Sequence, residues 1–201
     1  MNEALPKANQ TNLWKNLSVQ PPFDEAALVI KASTDPTALA ALYDVYFPRV
    51  HKYILYRVQD IQLTDDLVSQ TFEKMLTGIG RFHPQQAPFK AWLFGIARHV
   101  IADHFRTFKH QLVPLIEQMS DHKPSSEELA IKSEQNLHLL SAMQILTDRE
   151  RDLIGLKFAG GLKNRQIATL SNLSESNVGI ILYRAIQRLR NELSQKESCN
   201  E

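Results

Sequence analysis

"NRQIATLSNLSESNVGIILYRAIQRLR", Asn164–Arg190, decides how the rest of this chain is read. Its opening residues carry Ile167, Ala168 and Leu170 at helical spacing. Asn172 then suits a tight turn, because its short polar side chain tolerates the left-handed conformation without glycine. Ser174 is placed to cap a second, longer helix. Val178, Ile181, Leu182, Ala185 and Leu189 give that helix a buried stripe, and Ala168 is small enough to let the two helices approach. A short helix, a turn and a longer helix make a helix-turn-helix, whose second helix offers its first turns to a DNA major groove. The outward stripe reads Ser176, Asn177, Ile180, Arg184 and Arg188. Asn177 can pair with adenine, Ile180 can meet a thymine methyl, and the arginines suit phosphates. The spacing alone also fits an ordinary antiparallel helix pair with a solvated basic face.

Outward from this stretch the pattern stays helical, in windows 24–33, 36–58, 64–77, 88–108, 126–145, 148–158, 163–170 and 175–194. Val, Ile and Thr never gather into alternating runs, so no sheet is expected. The predicted fold class is all-α: two small helical domains joined by a flexible linker, the C-terminal one a helix-turn-helix. The expected divisions are a flexible arm over 1–22, a helical domain over 23–108, a linker over 109–136, the second domain over 137–195 and a tail over 196–201. Pro36 sits well at a helix start, and Thr64 reads as a cap followed by Asp65 and Asp66 in a first turn. Thr147 and Glu150 fit a capping box, as do Ser125 and Glu128. The linker contains Pro114 and Pro124 and no sustained period, which suits independent motion of two modules. Leu112, Val113, Leu115, Ile116 and Met119 are more apolar than an inert tether requires.

Charge is distributed in blocks. The net charge of +1 conceals +3 over residues 43–110, −3 over 111–145 and +4 over 146–196. Two mildly basic modules around an acidic strap suit contact with polyanions. The single cysteine, Cys199, allows no disulfide within the chain, and the seven histidines fall in no metal-binding frame. No cofactor or metal is expected. With no nucleophile–base pair and no glycine-rich phosphate loop, an enzyme is not expected either. There is no apolar signal region at the N-terminus and no run of 18 apolar residues, so a reducing, cytoplasmic setting is the default expectation.

The segment "WLFGIARHVIADHFR", Trp92–Arg106, adds a second surface. Leu93, Ile96, Ala97, Val100, Ile101 and Phe105 form a core face. The other side carries Trp92, His99, Asp103 and Arg106, flanked by Arg98. An exposed ring among cations suits unpaired bases, which stack on aromatics while charge holds the backbone. The preceding loop "GRFHPQQAPF", Gly80–Phe89, could cup a flipped base. Phe94 reads instead as core.

These residues carry a family resemblance. "DDLVSQTFEKML", Asp65–Leu76, followed by "RFHPQQAPFKAWLFGIARHVIADHFR", resembles region 2 of the sigma-70 family in its compact extracytoplasmic-function group. "LTDRERDLIGLKFAGGLKNRQIATLSNLSESNVGIILYRAIQRLR" is similar to region 4 of that family. The resemblance implies a sigma factor that binds core RNA polymerase and directs promoter-specific initiation. It places Asp66, Leu67, Val68, Gln70 and Phe72 on the clamp helices of the largest polymerase subunit. It places Arg81, Phe82, Phe89, Trp92, Arg98, His99, Asp103 and Arg106 at the melted −10 element. It assigns Arg165, Ser174, Ser176, Asn177, Gly179, Ile180, Arg184 and Arg188 to the −35 duplex, with helices near Leu146–Phe158 on the polymerase flap. It also implies an anti-sigma factor as a candidate partner. Three positions depart from the family pattern: His99 replaces the usual Asn, Gln166 the usual Glu, and Gly179-Ile180-Ile181 a basic-Ser-basic run. Fewer cations there predict a weaker phosphate grip and a more apolar readout. The other reading is a stand-alone helix-turn-helix regulator that binds duplex operator DNA without polymerase.

Overall fold

The computed structural model describes residues 25–111 and 139–198, with side chains over 25–107 and 139–194. The N-terminal module comprises α1 (Glu25–Lys31), α2 (Pro36–Val58), α3 (Ile61–Gly78), a 3-10 turn (Ile79–Arg81) and α4 (Phe89–Gln111). The C-terminal module opens with a helical turn at 139–143. It continues through α5 (Asp148–Ile154), a π-helical stretch (Gly155–Ala159), α6 (Asn164–Ser171) and α7 (Glu175–Ser198). No strand occurs among the described residues. The Ser125–Glu128 box and most of the linker, arm and tail lie outside them.

Local signals set most helix ends. Asp35 caps α2, accepting from the Thr37 backbone amide at 2.8 Å, with Pro36 in the first turn. Hydrogen bonds from Thr37, its hydroxyl first, hold the Asp35 carboxyl below its ordinary pKa. Helix α3 starts earlier than expected, and its cap is Asp60 rather than Thr64. The Asp60 carboxylate accepts from Leu63 N at 2.8 Å, which draws the helix start upstream. Thr64 lies within the helix, buried, and its hydroxyl donates to the Asp60 carbonyl. The Thr147–Glu150 capping box forms as expected.

The N-terminal core gathers Leu42, Tyr46, Val50, Ile54, Leu67, Met75, Leu93 and Ile101, all nearly inaccessible to water. Phe105 is a correction: it is 47% exposed, because α4 has by then run past the helices it packs on. The C-terminal core uses Met143, Leu153, Leu156, Ile167, Val178, Leu182, Ala185 and Leu189. Asn172 takes the left-handed conformation at φ 52°, and Ser174 Oγ accepts from Asn177 N at 3.2 Å. The helix-turn-helix is therefore built as its sequence suggested.

The two modules also touch, a contact the sequence did not indicate. Asp152 on α5 is 5% exposed and accepts hydrogen bonds from the Tyr53 hydroxyl at 2.7 Å and from Arg98 Nε at 2.9 Å. Arg57 Nε lies 3.7 Å from the same carboxylate. Burial first, and then the Asp152 charge, push the Tyr53 phenol well above its ordinary pKa, so it remains a donor. The Tyr53 ring packs edge-on against Phe94 at 5.4 Å. Around this centre Arg98 also donates to the Leu170 carbonyl, Arg57 to the Asp148 carbonyl, and Lys90 to the Gly161 carbonyl at 3.1 Å. Removing a partner would leave the buried Asp152 charge uncompensated, which is the destabilising direction for such a contact.

Asp60→Ala should lower the stability of the chain by about 1 kcal/mol in urea unfolding, the usual effect of losing a helix cap. Unchanged stability would return the α3 start to Thr64.

Candidate nucleic-acid interface

The capped start of α7 presents its polar face outward. Ser176, Asn177 and Arg184 are exposed, and Ile180 is 51% exposed. Tyr183, absent from the expected stripe, is 65% exposed on the same face. It lies three residues after Ile180 and seven after Ser176, a spacing that could have found it. Arg165 is exposed on α6, beside this face in the sequence motif. The Ser174 hydroxyl is committed to the cap.

Arg188 is exposed, and its guanidinium donates to Glu150 Oε2 at 3.0 Å, a carboxylate of its own module. The sequence pattern could not show this, because Glu150 is 38 residues away. Gly179 has no internal cause: a Cβ there would meet its nearest neighbour, Asn164 Nδ2, at 3.9 Å, an ordinary contact. A glycine in that helical position costs about 1 kcal/mol against alanine.

The second candidate face lies on α4 and the loop before it. Phe82, Phe89 and Trp92 form a ring cluster, with centroids 5.0–5.6 Å apart. Phe89 is 3% exposed and cannot stack on a base, which corrects its expected role. Trp92 and Phe82 are half-buried, each offering only part of its ring. Burying apolar ring surface outweighs leaving it wet, so the cluster closes on itself. His99 is exposed, with Nδ1 2.8 Å from the Gly95 carbonyl. Because a carbonyl only accepts, Nδ1 is the donor in this contact, and Nε2 is left for an outside partner. Asp103 is engaged by Arg106 at 3.0 Å and Lys74 at 3.5 Å. Arg106 and Arg81 remain exposed. Arg98 is the second correction here, since its side chain is taken up by Asp152 and Leu170 on the face turned to the other module.

On α3, Asp66 and Gln70 are exposed on one face at i, i+4, and neither makes a side-chain hydrogen bond among the described residues. Leu67, Val68 and Phe72 are 0%, 2% and 5% exposed, so they anchor α3 to the bundle and cannot themselves meet a partner. Tyr43, which sequence reading missed, covers Phe72 at 4.6 Å between ring centroids and is 41% exposed. Its spacing from Phe47 reads as core, and only the tertiary fold turns it outward. Among the described residues no group of His, Cys, Asp and Glu could hold a metal ion, and no helix is long and apolar enough to cross a membrane.

An exposed polar helix face in one module and a cation-flanked aromatic cluster in the other fit a two-module, all-α nucleic-acid-binding protein. Family models agree and go further: Sigma-70 region 2 matches residues 42–110, and Sigma-70, region 4 matches 137–189, together more than half of the chain. The chain belongs to the sigma-70 family of RNA polymerase sigma factors, in the extracytoplasmic-function group. It is 34% identical over 155 residues to the sigma factor BldN of Streptomyces coelicolor, covering 76% of this chain and 59% of that protein. It is 28% identical over 159 residues to SigX of Bacillus subtilis, covering 76% and 81% respectively. The fold is shared with sigma factor RpoE in complex with the anti-sigma factor NepR from Bartonella quintana (TM-score 0.61, 20% identity, covering 78% of this chain and 96% of that one). It is shared as well with CnrH in complex with the cytosolic domain of CnrY (TM-score 0.62, 20% identity, covering 88% and 99%).

Gly179→Ala should raise the stability of the chain by up to about 1 kcal/mol in chemical unfolding. A loss of stability would mean that the fold itself requires the glycine.

Proposed function

We propose that this chain binds core RNA polymerase and carries it to promoters, its two modules dividing the work. The observation that carries this reading is the pairing of two unlike faces. One, on α7, is an exposed row of polar and apolar side chains at the start of a helix, which suits a groove. The other, on α4 and its loop, is a partly open ring cluster among cations. In this proposal Ser176, Asn177, Ile180, Tyr183 and Arg184 read −35 duplex, with Arg165 on the adjoining phosphates. Gly179 allows the α7 backbone to come close to the DNA. The Ile180–Tyr183 pair makes that readout apolar, suited to thymine methyl groups.

Phe82, Trp92, His99 and Arg106, with Arg81 at the loop, capture the non-template strand once the −10 element opens. Unstacking costs a few kcal/mol per step. Stacking a captured base on an aromatic ring returns about 1–3 kcal/mol. Asp66 and Gln70, with Tyr43 nearby, face the polymerase clamp helices, and the α5 region faces the flap. An anti-sigma factor belongs to the proposal on the strength of the two complexes whose fold this chain shares. No catalysis is assigned to the chain.

Run-off transcription with purified core polymerase, this chain and a promoter library should yield start sites that need both components. A duplex operator bound tightly without polymerase, and no such start sites, would favour the stand-alone regulator. Trp92→Ala should impair strand opening, followed by permanganate reactivity, more than closed-complex binding. Equal losses would remove the single-strand role. Arg184→Ala should weaken −35 binding and flatten its salt dependence by about one unit in the log–log slope. An unchanged slope would take Arg184 off the phosphate list.

A further inference from the structure

We infer that Asn164, oriented by Lys157 and left uncovered by Gly179, donates hydrogen bonds to a phosphodiester group of the −35 duplex. The inference rests on the duplex-reading role proposed for α7, to which it adds a contact residue and the two residues that prepare it.

Lys157 Nζ donates to Asn164 Oδ1 at 2.8 Å, in a half-buried contact. An ammonium has donors only, so the amide oxygen must face it, and the Nδ2 group is turned the other way. That group has no acceptor among the described residues. Lys157 itself stands on the π-helical stretch Gly155–Ala159, a winding found mostly at functional sites.

Gly179 lies beside the free donor. Beyond its chain neighbours and the α7 backbone, an added Cβ would have one neighbour within 4 Å, Asn164 Nδ2 at 3.9 Å. No clash forbids a side chain there, so packing does not select the glycine, which costs the helix stability against alanine. A side chain at this point would lie against the amide and narrow the approach to its hydrogens. Gly179 follows Ser176 by three residues and precedes Tyr183 by four, so the gap opens on the flank of the same exposed row. Asn164 is the first residue of α6, and exposed Arg165 is next in the chain. The donor therefore sits where the start of α6 meets the first turns of α7.

The chemistry left to the amide favours phosphate over a base. Bidentate pairing with adenine uses the oxygen of an asparagine as well as its nitrogen. Here Lys157 holds the oxygen, and only N–H groups are offered. A phosphate oxygen is purely an acceptor, and asparagine is among the side chains that contact it.

The test uses the full chain assembled with core polymerase on a duplex carrying the −35 element. Asn164→Ala should weaken binding about 10-fold, the usual effect of losing a hydrogen bond to a charged group. The loss should be the same on every −35 sequence, with an unchanged log–log salt slope, because the amide carries no charge. Asn164→Asp keeps an oxygen for Lys157 and turns the donors into an anion, so it should lose more than Asn164→Ala. Gly179→Ala should weaken binding several-fold although its helix is the more stable, a split that a structural role would not produce. Added to Asn164→Ala, it should cost nothing further, since both substitutions act on one contact. Full binding by Asn164→Ala would overturn the contact, and a loss confined to one base pair would overturn the phosphate. A further loss from Gly179→Ala in the Asn164→Ala background would overturn the pairing of the two residues. If the parent shows no −35-dependent binding with core polymerase, the proposed function fails and this contact with it.

Discussion

A carboxylate with almost no access to water has to be answered by charge and hydrogen bonds, and Asp152 finds those partners across a module boundary. Its position dictates which face of α2 and of α4 turns toward the C-terminal module. Tyr53 must lie flat enough on Gly155 for its hydroxyl to reach the acid, and Arg98 must leave the outer side of α4. The helix-turn-helix is thereby set against the N-terminal bundle, with Leu170 seated at Gly95. Buried ion pairs of this kind add little net stability over apolar packing, but they penalise misaligned alternatives heavily. Here those contacts join two modules that each possess a core of their own.

The surfaces left outside the contact differ in character, as the different targets proposed for them would require. A duplex groove admits a helix, so α7 needs only a well-set N-terminus and a short row of side chains, which the Ser174 cap and the Asn172 turn supply. Separated bases demand a ring with one face free. In the Phe82–Phe89–Trp92 cluster Phe89 is sunk as a buttress and its neighbours are left half in water, the arrangement that the proposed strand capture would use. The outer side of α3 follows the same economy: buried Leu67, Val68 and Phe72 hold the helix still while Asp66 and Gln70 stay exposed.

Much of this was legible in the sequence where the cause is local. The α6–turn–α7 unit follows from apolar period, a left-handed Asn and a hydroxyl cap, and the Thr147–Glu150 box needs only residues three apart. What escaped is what contacts decide. Tyr53 and Arg98 lie 99 and 54 residues from Asp152, so no window of sequence links them. Leu67, Val68 and Phe72 entered the candidate interface because a motif records support and contact residues together. The start of α3 shifted because Asp60 and Thr64 are both plausible caps one turn apart, and the carboxylate, which accepts from the Leu63 amide, sets the start.

The central claim is that two helical bodies act on separate DNA elements and must therefore exchange a touching arrangement for a spread one. The most direct test is the distance between spin labels on α4 and α7, measured by double electron–electron resonance in the free chain and in the complete polymerase–promoter complex. The account requires a short, single distance in the free protein, and in the complex a distance longer by tens of ångströms, matched to the separation of the two elements. The same short distance in both states would contradict it.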